Sequence, residues 1–141
     1  MKTFTTILFL SAILISCNTD SFQKAAKNQF KGKWRLAKRG ILDSLEIEIT
    51  EDSLKNYTGR VIKVNNNKYV KLFMDDGDLF IKKIKRYSNK DFKLTEKKIA
   101  GPLFSIYGES TNKELDVHFH HKDTIYVGEK GNGGIYVRII E

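Results

Sequence analysis

The feature that most constrains the fold of this chain is an alternation of apolar and polar residues that recurs along its length. The segment LEIEIT (45–50) places Leu45, Ile47 and Ile49 on one face and two glutamates on the other. A period of two residues is that of a β-strand with one buried face, whereas an amphipathic helix repeats about every 3.6 residues. Because no stretch carries a long helical pattern, the sequence predicts an all-β fold.

Further strands are predicted where apolar and β-branched residues recur between turn residues. These segments are KGKWRLA (31–37), YTGRVIKV (57–64), KYVKLFM (68–74), LFIKKIK (79–85), DFKLTEK (91–97), LFSIYG (103–108), ELDVHFHH (114–121), TIYVGE (124–129) and GIYVRIIE (134–141). In two of them the alternation also predicts the inward residues. They are Leu115, Val117 and Phe119 in one segment and Ile135, Val137 and Ile139 in the other.

The connections between these segments are short and rich in Asn, Asp and Gly, which adopt the positive φ that tight hairpins need. Examples are NNN (65–67), DDGD (75–78) and GNGG (131–134). Such connections leave no room for crossover helices, so successive strands must be antiparallel neighbours. The sequence predicts an antiparallel up-and-down (meander) β-barrel of about 8–10 strands, closed to remove its edges. An open sandwich is the alternative.

The N-terminus carries a different pattern. A lysine is followed by the apolar run FTTILFLSAILIS (4–16), which ends at Cys17, the only cysteine in the chain. A membrane-spanning helix needs about 20 apolar residues. The shorter run and its basic start are typical of an export signal.

The tetrapeptide LISC (14–17) resembles the lipobox of bacterial lipoproteins. The resemblance implies cleavage between Ser16 and Cys17, a diacylglycerol on the Cys17 thiol, and usually an acyl chain such as palmitate on the freed amine. Two chains suffice for stable anchoring where one is marginal. An ordinary signal peptide with an incidental cysteine, or a short membrane anchor, is the alternative.

The resemblance implies a signal peptide (1–16). The polar composition of residues 18–29, which lack a core pattern, predicts that the lipidated N-terminus continues as a flexible tether (17–29), and the strand pattern assigns a barrel domain (30–141). The resemblance also implies a cell-envelope protein whose first partner is the membrane. Asn18 follows the cysteine in place of aspartate. In a host with two membranes, this favours the outer membrane.

The first predicted strand begins FKGKW (30–34). An aromatic-x-Gly-x-Trp motif at this place is similar to that of lipocalins, and especially of small bacterial lipocalin-like lipoproteins. The resemblance implies that Phe30, Gly32 and Trp34 close the barrel and that Arg138 packs across the indole ring. A guanidinium over an indole contributes about 0.5–2 kcal/mol. Even within that family, this role is structural and does not involve a ligand.

The resemblance further implies a barrel that binds a small hydrophobic or amphipathic molecule, although no ligand-binding residue can be assigned from the sequence. Aromatic residues either line such a cavity or fill it; these are Tyr69, Phe73, Phe80, Phe104 and Tyr107. The alternative function is a protein-interaction module, an accessory subunit or inhibitor that uses the barrel as a scaffold. The net charge of +8, densest over residues 82–98, is interpreted as a solvated surface, since no nucleic-acid motif accompanies it.

Few residues suggest chemistry. His118 and His120 in HFHH share a strand face and would be candidate zinc ligands, but the core positions of Leu115, Val117 and Phe119 favour a solvent-facing strand side instead. DDGD (75–78) lacks the ligand spacing of a calcium loop. GNGG (131–134) precedes a strand, so it lacks the helix N-terminus of a phosphate loop. No catalytic residue, metal or cofactor is predicted, and an enzyme is not expected.

Overall fold

The computed structural model describes residues 24–140, and in this part of the chain eight strands form one closed barrel. The strands are β1 (Gly32–Ala37), β2 (Glu46–Glu51), β3 (Tyr57–Lys63), β4 (Leu79–Arg86), β5 (Asp91–Lys97), β6 (Asn112–His121), β7 (Thr124–Val127) and β8 (Ile135–Arg138). Each strand pairs antiparallel with its neighbour in sequence, and β1 pairs with β8 to close the barrel. The predicted all-β meander barrel is therefore confirmed.

The remaining regular elements are short helices in the connections. Between residues 24 and 140 they are two α-helices, α1 (Lys68–Lys71) and α2 (Gly101–Ile106), and three 3-10 turns, Lys27–Phe30, Gly40–Leu42 and Glu129–Gly131. Over residues 24–140, no helix is long and apolar enough to span a membrane.

The strand prediction for KYVKLFM (68–74) is wrong, because this segment contains α1. The side chain of Asn67 accepts hydrogen bonds from the backbone N–H of Tyr69 at 2.9 Å and of Val70 at 3.4 Å. This is N-capping, which satisfies donors that a helix start leaves unpaired. Val70 is the one buried residue of this helix, so α1 contributes a single side chain to the core, whereas a strand would contribute every second residue.

The strand prediction for LFSIYG (103–108) is also wrong, because residues 103–106 belong to α2. Ala100 has φ 58°, which turns the chain out of β5, and Pro102 follows in the first helical turn. A proline there loses no hydrogen bond and has the helical φ already fixed. A short apolar run fits either a strand or a helix, and here the local turn decides.

The barrel interior is packed with apolar side chains from every strand. Leu45, Ile47 and Ile49 are each at most 1% exposed, which confirms the face predicted for them. Val117 is 1% exposed, and Leu115 and Phe119 pack against the same core, as predicted for the segment 114–121.

The face predicted for the last strand is wrong. Tyr136 is fully buried, whereas Val137 is 38% exposed. In the register with β1, Tyr136 pairs with Leu36 and Arg138 pairs with Trp34. Directly paired residues lie on the same face of a sheet. Because Trp34 and Leu36 face inward, Arg138 and Tyr136 face inward as well.

Because successive strands of the meander are antiparallel, their connections alternate between the two ends of the barrel. We call the end formed by the connections 38–45, 64–78, 98–111 and 128–134 the mouth. The opposite end carries three tight hairpins and the 3-10 turn Lys27–Phe30. We call it the closed end.

Candidate functional site

At the closed end, the structure brings Trp34 and Arg138 into contact. The guanidinium carbon of Arg138 lies 4.2 Å from the centroid of the indole ring. The indole Nε1 donates a hydrogen bond of 2.7 Å to the carbonyl of Phe30. Trp34 is fully buried, so the stacked cation covers its outer face.

Arg138, on β8, also joins the segment 29–31 to the hairpin between β6 and β7. Its Nη2 donates to the carbonyl of Gln29 at 2.6 Å, its Nη1 donates to that of Lys31 at 2.8 Å, and its Nε lies 2.9 Å from Asp123 Oδ1. Gly32 has φ +121°, and a Cβ there would lie 2.8 Å from Nη1 of Arg138. The conformation and the close approach both require glycine at this position.

Phe30 and the residues before it cover the closed end. The ring of Phe30 is fully buried, 4.8 Å from Phe92 and 4.6 Å from Phe119 between centroids. Ala25 donates to the carbonyl of Asn89 at 2.9 Å. The region predicted as a tether, 17–29, is thus held against the barrel from Ala25 onward. Ser16 and Cys17 lie outside the described residues.

At the mouth, the structure contains a cavity of about 480 Å³. We call it the mouth cavity. It lies between α2, the 3-10 turn Gly40–Leu42 and the ends of β5, β6 and β7. Its wall is largely apolar, formed by Ile41, Leu42, Ile99, Phe104, Leu115 and Val127.

The aromatic residues expected to line or fill a cavity divide among three environments. Phe104 lines the mouth cavity, and Phe80 is fully buried in the core. Tyr69, Phe73 and Tyr107 are exposed on the mouth connections, at 56%, 40% and 83%. Most of them neither line nor fill the barrel, because they lie in segments that are helical or looped.

A buried polar cluster borders the mouth cavity. Arg39 Nη2 lies 2.5 Å from Glu96 Oε2, and both side chains are less than a tenth exposed. The hydroxyl of Tyr136 donates to the other carboxylate oxygen of Glu96, and Arg39 Nη1 donates to the carbonyl of Gly133 at 3.0 Å. Burial, followed by the charge of Glu96, raises the pKa of Tyr136 well above its usual value. The tyrosine therefore stays a neutral donor.

Sequence reasoning missed this cluster, although a signal was present. In DFKLTEK (91–97) the alternation that places Phe92 and Leu94 inside also places Glu96 inside. A carboxylate at an inward position needs a cationic or hydroxyl partner. Nothing in the sequence indicates that the partners come from residues 39 and 136, since their positions depend on how the barrel closes.

Four lysines also line the mouth cavity: Lys38, Lys97, Lys98 and Lys113. Among residues 24–140, none of their ammonium groups forms an ion pair with a carboxylate. Lys98 Nζ lies 4.8 Å from the centroid of the Phe104 ring, which joins the charge to the apolar wall. The cavity thus combines an apolar surface with uncompensated positive charge.

The other sequence candidates lie away from this cavity. His118 and His120 lie on β6 with Tyr126 between them, at ring distances of 5.6 Å and 4.4 Å. In the described part of the chain, no three His, Cys, Asp or Glu side chains are placed to hold a metal ion. In DDGD the carboxylates of Asp76 and Asp78 accept from backbone N–H groups, as in a stabilised turn.

We compared the chain with protein-family models, curated proteins and solved structures. No family model, curated protein or solved structure matches it significantly.

Proposed function

We propose that this protein is a lipid-anchored envelope protein that binds a small amphipathic molecule in the mouth cavity. The observation that carries the proposal is the cavity itself, about 480 Å³ with a wall that is mostly apolar. Ligand sites of proteins typically measure about 300–1,000 Å³ and combine an apolar lining with a few polar groups. The mouth cavity has that size and that composition.

The filled barrel core supports a site at the mouth instead of deep inside. Trp34, Phe80, Phe92 and Tyr136 are fully buried and occupy the interior at different heights. Barrels of about eight strands are just wide enough for their own side chains to fill. A ligand would therefore lie above this core, under α2.

The proposed anchor fits the two-ended shape of the barrel. Ala25 is hydrogen-bonded to Asn89 at the closed end. From Cys17 to Ala25, the chain reaches at most about 29 Å when extended. An acylated Cys17 would then attach the closed end to the membrane, preferentially the outer membrane of a diderm host, and the mouth would be directed away from it.

Binding can be tested with the uncharged fluorescent probe N-phenyl-1-naphthylamine, displaced by dodecyl maltoside below its micelle concentration. We expect saturable binding that Phe104→Asp weakens by about tenfold or more, because a charge replaces part of the apolar wall. Tyr107→Asp is the matched control, since Tyr107 is 83% exposed and does not line the cavity. Absence of saturable binding to the wild-type protein would overturn the proposal.

A second candidate function, a protein-interaction module, is favoured by exposed apolar side chains on the mouth connections. Leu72, Ile106 and Tyr107 are 71%, 74% and 83% exposed. Ile106 and Tyr107 are adjacent in sequence, and an exposed apolar patch on a monomer commonly marks an interaction site. Cross-linking in intact envelopes followed by mass spectrometry distinguishes the two functions. A stoichiometric protein partner lost in Ile106→Glu supports the module, and recovery of the protein with bound amphiphile alone supports the carrier.

A further inference from the structure

We propose that the molecule held in the mouth cavity is anionic, an amphiphile with a phosphate or carboxylate head group. This inference rests on the proposed binding function and concerns the chemistry of its ligand. The head group would be recognised by lysines at the rim, and the apolar part would contact the wall around Phe104.

Three of the lysines lie at the rim of the mouth, at or just beyond the ends of their strands. Lys113 continues the inward alternation of Leu115 and Val117 on β6, and Lys98 follows the inward Glu96 beyond β5. Lys38 is exposed and directly follows β1, where its φ of 56° turns the chain away from the strand. All three line the mouth cavity, so strand geometry concentrates their charges over one opening.

The buried acid beside the cavity does not neutralise these lysines. Both oxygens of Glu96 are already engaged, one by Arg39 and one by Tyr136. Arg39 and Glu96 cancel each other in charge, while Lys97 adds a fourth ammonium group to the lining. Asp43, beside the cavity wall, accepts from the backbone N–H of Arg39. These lysines therefore leave a net positive charge at the rim of the cavity, which favours an anionic over a neutral or cationic ligand.

The apolar wall selects an amphiphile over a free ion. Positive charge in a concave, poorly polar site focuses the electric field and strengthens its effect on an anion. Simple phosphate would gain nothing from Ile99, Phe104 and Leu115, which lie on the wall beneath the lysines. The contact of Lys98 with the Phe104 ring places the head-group site directly beside the tail site.

The test is displacement of N-phenyl-1-naphthylamine by a series of ligands that share a dodecyl chain. The series comprises dodecyl phosphate, dodecanoate, dodecyl maltoside and dodecyltrimethylammonium, each below its micelle concentration, with inorganic phosphate as the head group alone. We expect both anions to bind at least about tenfold more tightly than the maltoside, with the advantage falling as salt is raised. The cation and inorganic phosphate should bind most weakly.

The variant Lys98→Gln/Lys113→Gln should bring the ratio of the phosphate and maltoside affinities close to one. Its matched control is Lys82→Gln/Lys85→Gln, which removes the same charge from two exposed positions on β4. The control should retain the wild-type ratio. Circular dichroism of both variants checks that the barrel is intact.

Each outcome bears on one of the two proposals. Equal binding of dodecyl phosphate and dodecyl maltoside to the wild-type protein overturns the anionic ligand and leaves the binding function standing. A preference that survives in the Lys98→Gln/Lys113→Gln variant, or that is lost equally in the control, overturns the lysine site. Failure of every amphiphile and of the probe overturns the binding function itself.

Discussion

At the scale of single residues, two arginines show how burial decides what a charge contributes. Arg138 is stacked on Trp34 and bonded to the carbonyls of Gln29 and Lys31. Arg35, on the outer face of β1, forms an ion pair with Glu46 at 2.9 Å, and its side chain is 53% exposed. An exposed ion pair contributes about 0–1 kcal/mol, whereas loss of one partner from a buried network leaves other groups unsatisfied.

Arg138→Met should therefore lower the free energy of unfolding by about 3 kcal/mol. The methionine keeps part of the packing over the indole but leaves the carbonyls of Gln29 and Lys31 without their donor. Arg35→Met is the matched control and should cost less than about 1 kcal/mol. Urea unfolding followed by tryptophan fluorescence measures both. Equal effects of the two substitutions would show that Arg138 does not hold the closed end together.

Tyr57 gives the barrel a defined response to alkaline pH. Burial, with a hydrogen bond of 2.8 Å to Glu51, raises the pKa of Tyr57 to about 12. The unfolded-state pKa is about 10, so the folded state holds the phenolic proton more tightly. This contribution to stability is complete below pH 10 and is lost as pH rises through about 12.

In Tyr57→Phe the decline of stability between about pH 10 and 12 should be shallower than in the wild-type protein. Urea unfolding at several alkaline pH values measures the slope, and ultraviolet difference absorbance follows the tyrosinate directly. The control is Tyr107→Phe, at an exposed residue directly after α2, which should leave the profile as in the wild type. An unchanged slope in Tyr57→Phe would contradict the assignment.

At the scale of elements, the connections of the mouth are held by the three asparagines of NNN (65–67). Asn65 is 9% exposed, and its Nδ2 donates to the carbonyls of Ile41 and Asp43, each at 2.7 Å. Asn67 caps α1. Asn66 is exposed and accepts a hydrogen bond of 3.4 Å from Lys71 Nζ. One sequence motif thus contains three different structural roles.

Alanine substitutions at these positions should give a graded series of stabilities. Asn65→Ala should cost about 2 kcal/mol because the carbonyls of Ile41 and Asp43 both lose their donor, and Asn67→Ala about 1 kcal/mol as a lost N-cap. Asn66→Ala, the control, should cost less than about 0.5 kcal/mol. Chemical denaturation ranks the three. Any order in which Asn66→Ala is not the mildest would contradict these assignments.

The same elements show why sequence predicts part of this fold and misses the rest. Alternation identified the strands and inward faces of segments such as 45–50, because one period places every side chain. The alternation predicted the wrong element or the wrong face where a different contact determines the structure. Two short apolar runs form α1 and α2 because of a local N-cap and a turn. On β8 the face opposite to the predicted one points inward, because β8 pairs with β1 and Trp34 there fixes the inward direction. Such pairings are long-range, so no local pattern records them.

The candidate site was less predictable than the barrel. The contact of Trp34 with Arg138 could be expected only from the resemblance of FKGKW to a known motif, because more than 100 residues separate the two side chains in sequence. The mouth cavity draws its wall from several connections and strand ends. Each lysine looks like an ordinary surface residue in sequence. Only the closure of the barrel shows that Lys38, Lys98 and Lys113 share one opening.

At the scale of the whole molecule, the barrel separates two tasks between its ends. The closed end is fixed by the stack on Trp34 and by the burial of Phe30, and there the described chain begins. The mouth carries the cavity, the lysines and the exposed apolar side chains of α1 and α2. A molecule attached to a membrane through its N-terminus would hold the closed end toward the surface, so the mouth remains accessible.

The proposed membrane attachment depends on Cys17, and its test concerns the location of the entire molecule. Cys17→Ser should release the protein from the membrane fraction or leave it as the unprocessed precursor, because serine offers no thiol for diacylglycerol. Membrane fractionation and intact-mass measurement report both results. Ser21→Ala, a change of similar size just beyond the cysteine, is the control and should remain in the membrane fraction at its mature mass. If Cys17→Ser also remained there at the mature mass, the anchor would have to lie elsewhere, and the mouth would no longer be expected to face away from the membrane.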